Sequence, residues 1–476
     1  MSATLLSVSG LSTHIDSENG LVRALDCVSF DVSAGETFAL LGESGCGKSV
    51  TALSLMRLLP PGGFIAAGSV VLDGQDLCAL TEAEMRRVRG AGMAMIFQEP
   101  GTSLNAVLTV GQQIGEVLAL HRGLRGAAAD REAVALMTQV GIPDPQRRLR
   151  EYPFQFSGGM KQRVMIAMAL AGEPRVLIAD EPTTALDVTI QAQVLDVMAA
   201  LQRARGMAMI LITHDLGVVA RMADRVGVMY AGHLIEEAPR ERFFGAPAHP
   251  YSRKLFEALP EGHRERGVLA TIAGSVPPLT TRFAGCRFAP RCDRAWERCR
   301  SEAPQWHALG GAQRVRCHLH DPAESMRAAV QPLAPQAAGT SARATEEILL
   351  GVRDMKVHFP ITSGVFRRVV GHVKAVDGVS LDIGAGRTLA LVGESGCGKT
   401  TVGKAILRLI EPSGGSARLG DIDIGSLSGA ALRAARAGMQ MIFQDPFGSL
   451  NPRLRVIEII EAGMNALGIS GSAAER

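Results

Sequence analysis

Aromatic side chains are scarce, at 4% of residues with only two tryptophans, which disfavours the stacking surfaces that single-stranded nucleic-acid binders use. Charge imbalance is also small: a net +3 over 476 residues argues neither for nor against a nucleic-acid partner. No apolar run reaches the ~18 residues needed to cross a bilayer, and the longest, Met207 to Thr213, reads as a buried strand. The opening Met1-Ser2-Ala3-Thr4-Leu5 lacks a basic run before an apolar core, so no secretory signal is expected. Any membrane role is then expected to come through partner subunits. The eight cysteines are expected in a reducing compartment and not as a disulfide framework. With 47% hydrophobic and 20% charged residues, the chain reads as ordered globular protein, too long for one core.

The sequence repeats itself. Gly42-Glu43-Ser44-Gly45-Cys46-Gly47-Lys48-Ser49, entered by Ala39-Leu40-Leu41, returns as Gly393-Glu394-Ser395-Gly396-Cys397-Gly398-Lys399-Thr400, entered by Ala390-Leu391-Val392. Met95-Ile96-Phe97-Gln98-Glu99-Pro100 returns as Met441-Ile442-Phe443-Gln444-Asp445-Pro446. Between the copies, His249 to Asp321 holds four cysteines and both tryptophans, and Gln331 to Ala344 has the composition of a flexible linker. Strands are expected at Thr37–Leu41, Val176–Ala179 and Met207–Thr213, with helices at Lys48–Leu59 and Ile190–Arg203. Each repeat is thereby read as alternating strand and helix, which argues for a parallel sheet flanked by helices.

Gly-x-x-x-x-Gly-Lys-Ser/Thr between a strand and a helix is a phosphate-binding loop. Its glycines let successive backbone N–H groups point at phosphate, and the helix N-terminus adds partial positive charge. Lys48 and Lys399 are expected to reach the outer phosphates, and the hydroxyls of Ser49 and Thr400 to bind Mg²⁺. Val50 and Thr401, one residue further on, complete the two nucleotide-binding sets. The apolar run Arg175-Val176-Leu177-Ile178-Ala179 ends in Asp180-Glu181. Asp180 is expected at the metal, and Glu181 is expected to orient and deprotonate the attacking water. His214, at the end of the 207–213 strand, is read as reaching the γ-phosphate; taken alone it would more often be a structural histidine.

Phe156-Ser157-Gly158-Gly159-Met160-Lys161-Gln162-Arg163, shortly before Asp180-Glu181, resembles the signature segment of ATP-binding-cassette ATPases. By itself, Ser-Gly-Gly would be no more than a helix cap. The resemblance covers nearly the whole chain and implies a P-loop NTPase fold: a RecA-like core with antiparallel β and helical subdomains, in two homologous copies. It also implies that Ser157, Gly158 and Gly159 grip nucleotide held by the other domain of a head-to-tail pair. Gln98 and Gln444 look like the glutamine that senses Mg²⁺ and couples to membrane subunits. Ala185-Leu186-Asp187 looks like the loop that crosses the dimer interface. Phe359 aligns with the family's adenine-stacking aromatic, a place that falls near Ile15 in the first copy.

His249-Pro250-Tyr251-Ser252-Arg253, followed by Gly285-Cys286-Arg287-Phe288-Ala289-Pro290-Arg291-Cys292, resembles the C-terminal extension of oligopeptide and dipeptide importer ATPases. Cys286, Cys292, Cys299 and Cys317 in a reducing compartment suit a metal or an iron–sulfur cluster, and the resemblance implies [4Fe–4S]. Zinc is the rival, with His318 or His320 replacing one cysteine; unligated thiols are the plainer alternative. Cys27 and Cys78 are read as small core residues, and Cys46 and Cys397 as fillers of variable loop positions.

The resulting division is 1–248 for the first nucleotide-binding domain, 249–322 for the cysteine extension, 323–346 for a linker, and 347–476 for the N-terminal part of a second domain. At the spacing of the first copy, a second signature, Asp-Glu pair and switch histidine would fall beyond Arg476. Hydrolysis is therefore expected at the Gly42–Ser49 loop, with a signature from another chain. The function expected from the resemblance is ATP hydrolysis energising a peptide importer at the cytoplasmic face of the inner membrane. Its partners would be two permease subunits, an extracytoplasmic binding protein and a second ATPase chain. Nickel, glutathione or opine import, or a soluble cassette ATPase on ribosomes or DNA, are the alternatives. A kinase or GTPase is disfavoured by Ser157-Gly158-Gly159 and by the lack of an Asn-Lys-x-Asp motif.

Overall fold

The computed structural model describes residues 4–18, 20–184, 186–258, 271–324, 347–363, 368–394, 396–443 and 446–469. The chain divides into two compact units, residues 1–338 and 339–476.

In the first unit, one sheet has four strands: β1 (Thr4–Ser17), β2 (Gly20–Ser33), β4 (Gly63–Leu72) and β5 (Gln75–Asp76), in the order β2-β1-β4-β5. The other has eight: β3 (Thr37–Leu41), β6 (Met93–Ile96), β7 (Val176–Asp180), β8 (Ala208–Thr213), β9 (Arg225–Tyr230), β10 (His233–Pro239), β11 (Trp306–Gly310) and β12 (Gln313–Arg316). Their order is β11-β12-β10-β9-β3-β8-β7-β6. The stretch β9-β3-β8-β7-β6 is parallel throughout. Parallel strands are covered on both faces and so read as continuous apolar runs: every residue of β3, β7 and β8 is buried.

Strand limits fall within a residue or two of the expectation. The helix after the phosphate loop, Lys48–Leu55, stops four residues short of Leu59. Arg57 turns left-handed there (φ 51°), and its guanidinium donates to the Leu77 and Leu80 carbonyls at 3.0 and 2.6 Å. These carbonyl contacts reward a break that helix periodicity does not signal. The helix expected at Ile190–Arg203 runs Val188–Arg205. A helical layer, Val110–Arg122, Ala127–Gln139 and Gly158–Ala171, packs Leu118, Leu136 and Val164 into one core with β6, β7 and β8. Cys27 is exposed and Cys78 half-buried, which corrects the core assignment of Cys27. It sits at φ 56° in a bulged stretch of β2, where its side chain turns away from the core.

The second unit pairs β13 (Ile348–Ser363), β14 (Arg368–Gly384), β15 (Gly414–Leu419) and β16 (Ile422–Asp423) in the order β14-β13-β15-β16, all antiparallel. Helix Lys399–Ile406 buries Val402 and Ala405 against Val352, Met355 and Val376. The expected strand–helix alternation with a parallel sheet is not found here among the described residues. Thr388 to Val392, the copy of β3, lies outside any strand, with Leu391 and Val392 46% and 86% exposed. In the first unit the partners of β3 are β8 and β9; no strand of the second unit takes their place among the described residues.

Candidate functional site

The Gly42–Ser49 loop leaves the end of β3 and enters helix Lys48–Leu55 through Gly47, whose φ is 105°. A Cβ on Gly47 would lie 2.7 Å from the Ala24 carbonyl, and one on Gly42 2.4 Å from that of Met229. Both glycines are therefore required by close backbone approach as well as by dihedral. Cys46 is fully buried beneath the loop, which is more than the filler role expected of it. Lys48 is 5% exposed and folds back so that Nζ donates to the Gly42 and Glu43 carbonyls at 2.7 and 2.9 Å. Its ammonium thus caps the loop from within.

Across from the loop, the end of β7 brings in the acidic pair and the end of β8 brings in His214. Ser49 Oγ donates to Asp180 Oδ1 at 3.2 Å. Burial pushes the Asp180 carboxyl up to about 6, against the pull of that hydrogen bond; a buried carboxylate so placed gains from a cation beside it. Serine hydroxyl and carboxylate oxygen are hard donors of the kind Mg²⁺ takes. Glu181 adopts φ 46°, with its N–H bonded to the Ile212 carbonyl at 2.9 Å. Its two oxygens are separately held: Oε1 meets His214 Nδ1 at 3.0 Å, and Oε2 accepts from Gln98 Nε2 and Thr184 Oγ1, each at 2.9 Å. Burial pulls its carboxyl upward, but the bonds from His214 and Thr184 together with the charges of His214 and Lys48 hold it below the ordinary glutamate value. Glu181 is accordingly held as a carboxylate in one orientation. Thr184 escaped the sequence reading because a threonine three residues past the acidic pair carries no signal of its own.

Ser157 caps helix Gly158–Ala171, accepting from Met160 N–H at 3.4 Å; Ser157 and Gly158 are exposed. Gly159 leaves no room for a side chain, since a Cβ would meet Ile190 at 2.8 Å. Asp187 caps helix Val188–Arg205 and accepts from Ile190 N–H at 2.9 Å; Ala185 lies outside the described residues. Ile15 pairs with Val22 in β2 and Gly63 in β4.

The second loop repeats the inner geometry of the first. Gly396 and Gly398 have φ of 85° and 97°, and Lys399 Nζ donates to the Gly393 and Glu394 carbonyls, each at 2.6 Å. Thr400 and Cys397 are exposed and Thr401 is half-buried. Phe359, on β13 opposite Val373, is 42% exposed. Ser395 and Gln444 lie outside the described residues.

Cys286, Cys292, Cys299 and Cys317 line one small cavity with His249, Trp296 and His318, and none is in a disulfide. Burial pushes the Cys292 and Cys317 thiols up to about 11 and about 12. Among the described residues, no group of three or more His, Cys, Asp or Glu is placed to hold a metal ion. The expected iron–sulfur or zinc centre therefore has its donors gathered in one cavity but not closed on a point. His320 Nε2 bonds to the Ala248 carbonyl at 3.2 Å. His318 Nε2 bonds to that of Glu302 at 2.9 Å, and its Nδ1 is buried without a partner.

The ABC transporter family model matches residues 25–184 and 376–474. A second, "Oligopeptide/dipeptide transporter, C-terminal region", matches 235–299, which takes in three of the four clustered cysteines and stops short of Cys317. The chain is 41% identical over 473 residues to the "Peptidoglycan transport ATP-binding protein YejF" of Agrobacterium fabrum, covering 99% of this chain and 73% of that protein. It is 43% identical over 488 residues to the "Glutathione import ATP-binding protein GsiA" of Salmonella paratyphi A, covering 100% and 70%. It is also 40% identical over 467 residues to the "Oligopeptide transport ATP-binding protein OppD" of Mycobacterium tuberculosis, covering 98% and 76%. No helix among the described residues is long and apolar enough to cross a membrane. The chain belongs to the ABC transporter family, as an ATP-hydrolysing cassette protein that carries the oligopeptide/dipeptide transporter C-terminal region.

Proposed function

We propose that this chain is the ATPase subunit that energises import of peptides or peptide-like solutes, hydrolysing ATP at the Gly42–Ser49 loop. The observation that carries this reading is Glu181, ionised and held by Gln98, Thr184 and His214 beside the Lys48–Ser49–Asp180 cluster. In the proposed mechanism the loop amides and Lys48 bind the β- and γ-phosphates. Ser49 and Asp180, with Gln98 at the rim, would hold Mg²⁺, which when bound would offset phosphate charge. Glu181 takes the proton of a water as its oxygen bonds to the γ-phosphorus and the bond to ADP breaks. His214 keeps Glu181 aimed and contacts the γ-phosphate. Ser157, Gly158 and Gly159 close on nucleotide held by a partner domain, which agrees with the exposure of Ser157 and Gly158.

Under this reading residues 1–248 form the complete catalytic domain, 249–322 the cysteine extension, 323–346 a linker, and 347–476 part of a second, fused nucleotide-binding domain. Two permeases and an extracytoplasmic binding protein complete the importer, and the chain is peripheral on the cytoplasmic face of the membrane. The choice of peptide cargo is supported by relatives named for oligopeptide and glutathione transport. The four cysteines would hold a [4Fe–4S] cluster, a group that needs a wider cage than one metal ion does; its colour and iron content in anaerobically purified protein test this. For the main reading, cells whose chain carries Glu181→Gln should lose uptake of labelled peptide while the protein still binds ATP. Peptide uptake at the parental rate would sink it.

A further inference from the structure

The first variable position of the phosphate loop is a glutamate, and a carboxylate there opposes a polyphosphate unless something neutralises it. Arg291, one residue before Cys292, forms a two-pronged pair with it: Nη1 to Glu43 Oε2 at 2.6 Å and Nη2 to Oε1 at 3.1 Å. This is the planar fork that only arginine presents to a carboxylate. The Arg291 side chain is 6% exposed and that of Glu43 26%. Arg291 is itself fixed, donating to the Ala273 carbonyl at 2.9 Å and to Tyr230 OH at 3.3 Å.

The backbone of Glu43 is held from the same segment. Its N–H donates to Tyr251 OH at 2.9 Å, and fully buried Tyr251 packs edge-on against Tyr230 and Phe288, with ring centroids 4.9 and 5.4 Å away. Arg287 ties the segment to the Ala231 carbonyl and the Asp26 carboxylate. Next to Ala231, Gly232 N–H donates to the Cys46 carbonyl of the loop at 2.9 Å. Residues more than 200 positions downstream thus hold both the charge and the amide of one loop residue.

We propose that Arg291 and Tyr251 are positioning residues for the nucleotide site: the cysteine-bearing segment neutralises Glu43 and fixes the loop in its phosphate-accepting pose. Neither touches ATP; both act through Glu43. The proposal rests on the reading that ATP phosphates occupy the Gly42–Ser49 loop.

The test is a titration of full-length chain with a fluorescent ATP analogue and Mg²⁺, in a Lys399→Ala background that removes the main cationic contact of the second loop. Arg291→Met leaves the carboxylate unpaired and should weaken binding about tenfold, less at high salt. Arg291→Met with Glu43→Gln should recover to within about threefold of the parent, because the repelling charge is gone. Glu43→Gln alone, which alters a residue of the loop itself, should lose less affinity than Arg291→Met does, and this variant carries the test if Arg291→Met does not fold. Tyr251→Phe should cost about threefold. A merely structural brace would not be rescued by Glu43→Gln, so a double variant no better than Arg291→Met overturns the proposal. So does a Glu43→Gln variant that itself loses tenfold. Lys48→Ala is the reference: if it also binds at parental affinity, the reading of the loop fails and not the role of Arg291.

Discussion

Two phosphate loops of nearly the same sequence stand in different surroundings. Both lysines fold back onto the same two carbonyls, Lys48 onto Gly42 and Glu43, Lys399 onto Gly393 and Glu394. Both loops enter their helices through a left-handed glycine, Gly47 or Gly398. The strands leading in differ completely: Phe38 and Leu40 are fully buried in the centre of a parallel sheet, whereas Leu389 and Leu391 are each 46% exposed and unpaired in any strand. Loop shape is therefore a local property of glycines and a lysine, while the strand is a property of its neighbours. The neighbours also differ: Asp180 and His214 stand at the ends of β7 and β8 beside the first loop, and no strand stands in those places beside the second loop among the described residues.

The sharpest way to break this contrast is to remove the carboxylate beside the first loop. Glu181→Gln should cut steady-state ATP turnover by about 10²–10⁴-fold with nucleotide affinity preserved, as a radiolabelled-phosphate assay beside equilibrium binding would register. Next in size is the packing difference. Leu40→Ala opens a cavity in a fully buried strand and should destabilise the first unit by about 2–5 kcal/mol, whereas Leu391→Ala, the same residue of the copy, should cost under about 0.5 kcal/mol. Equal losses in urea melts of the two variants would contradict the difference in burial. A smaller effect is expected at the lysines. Lys48→Ala removes a charged contact to phosphate and should weaken nucleotide binding at its own loop by about 10–100-fold, while Lys399→Ala should lower turnover far less than Lys48→Ala does.

How much of this is legible in the sequence varies by element. The first loop, Asp180-Glu181, Gln98 and His214 are all visible as motifs, because phosphate chemistry restricts both residue type and spacing. The parallel strands around them are visible as short apolar runs. The break at Arg57 is not, since it depends on carbonyls of Leu77 and Leu80 twenty or more residues away. The hold on Glu43 by Arg291 and Tyr251 is likewise invisible: one sits among arginines of a cysteine-rich segment, and only the fold brings it 2.6 Å from the loop. Thr388 to Val392 is the converse case, an apolar run that copies a strand and lies in none among the described residues. The four cysteines do share a cavity, but spacing along the chain could not say whether they close on a metal.

The central claim of the proposed function is that ATP is hydrolysed at the Gly42–Ser49 loop. A single-turnover experiment with trace labelled ATP and excess chain, quenched and resolved into ATP and ADP, tests it in the two lysine variants. Lys399→Ala should convert its bound ATP to ADP, and Lys48→Ala should keep what it binds as ATP. ADP formed by the Lys48→Ala chain at the rate of the Lys399→Ala chain would contradict the account.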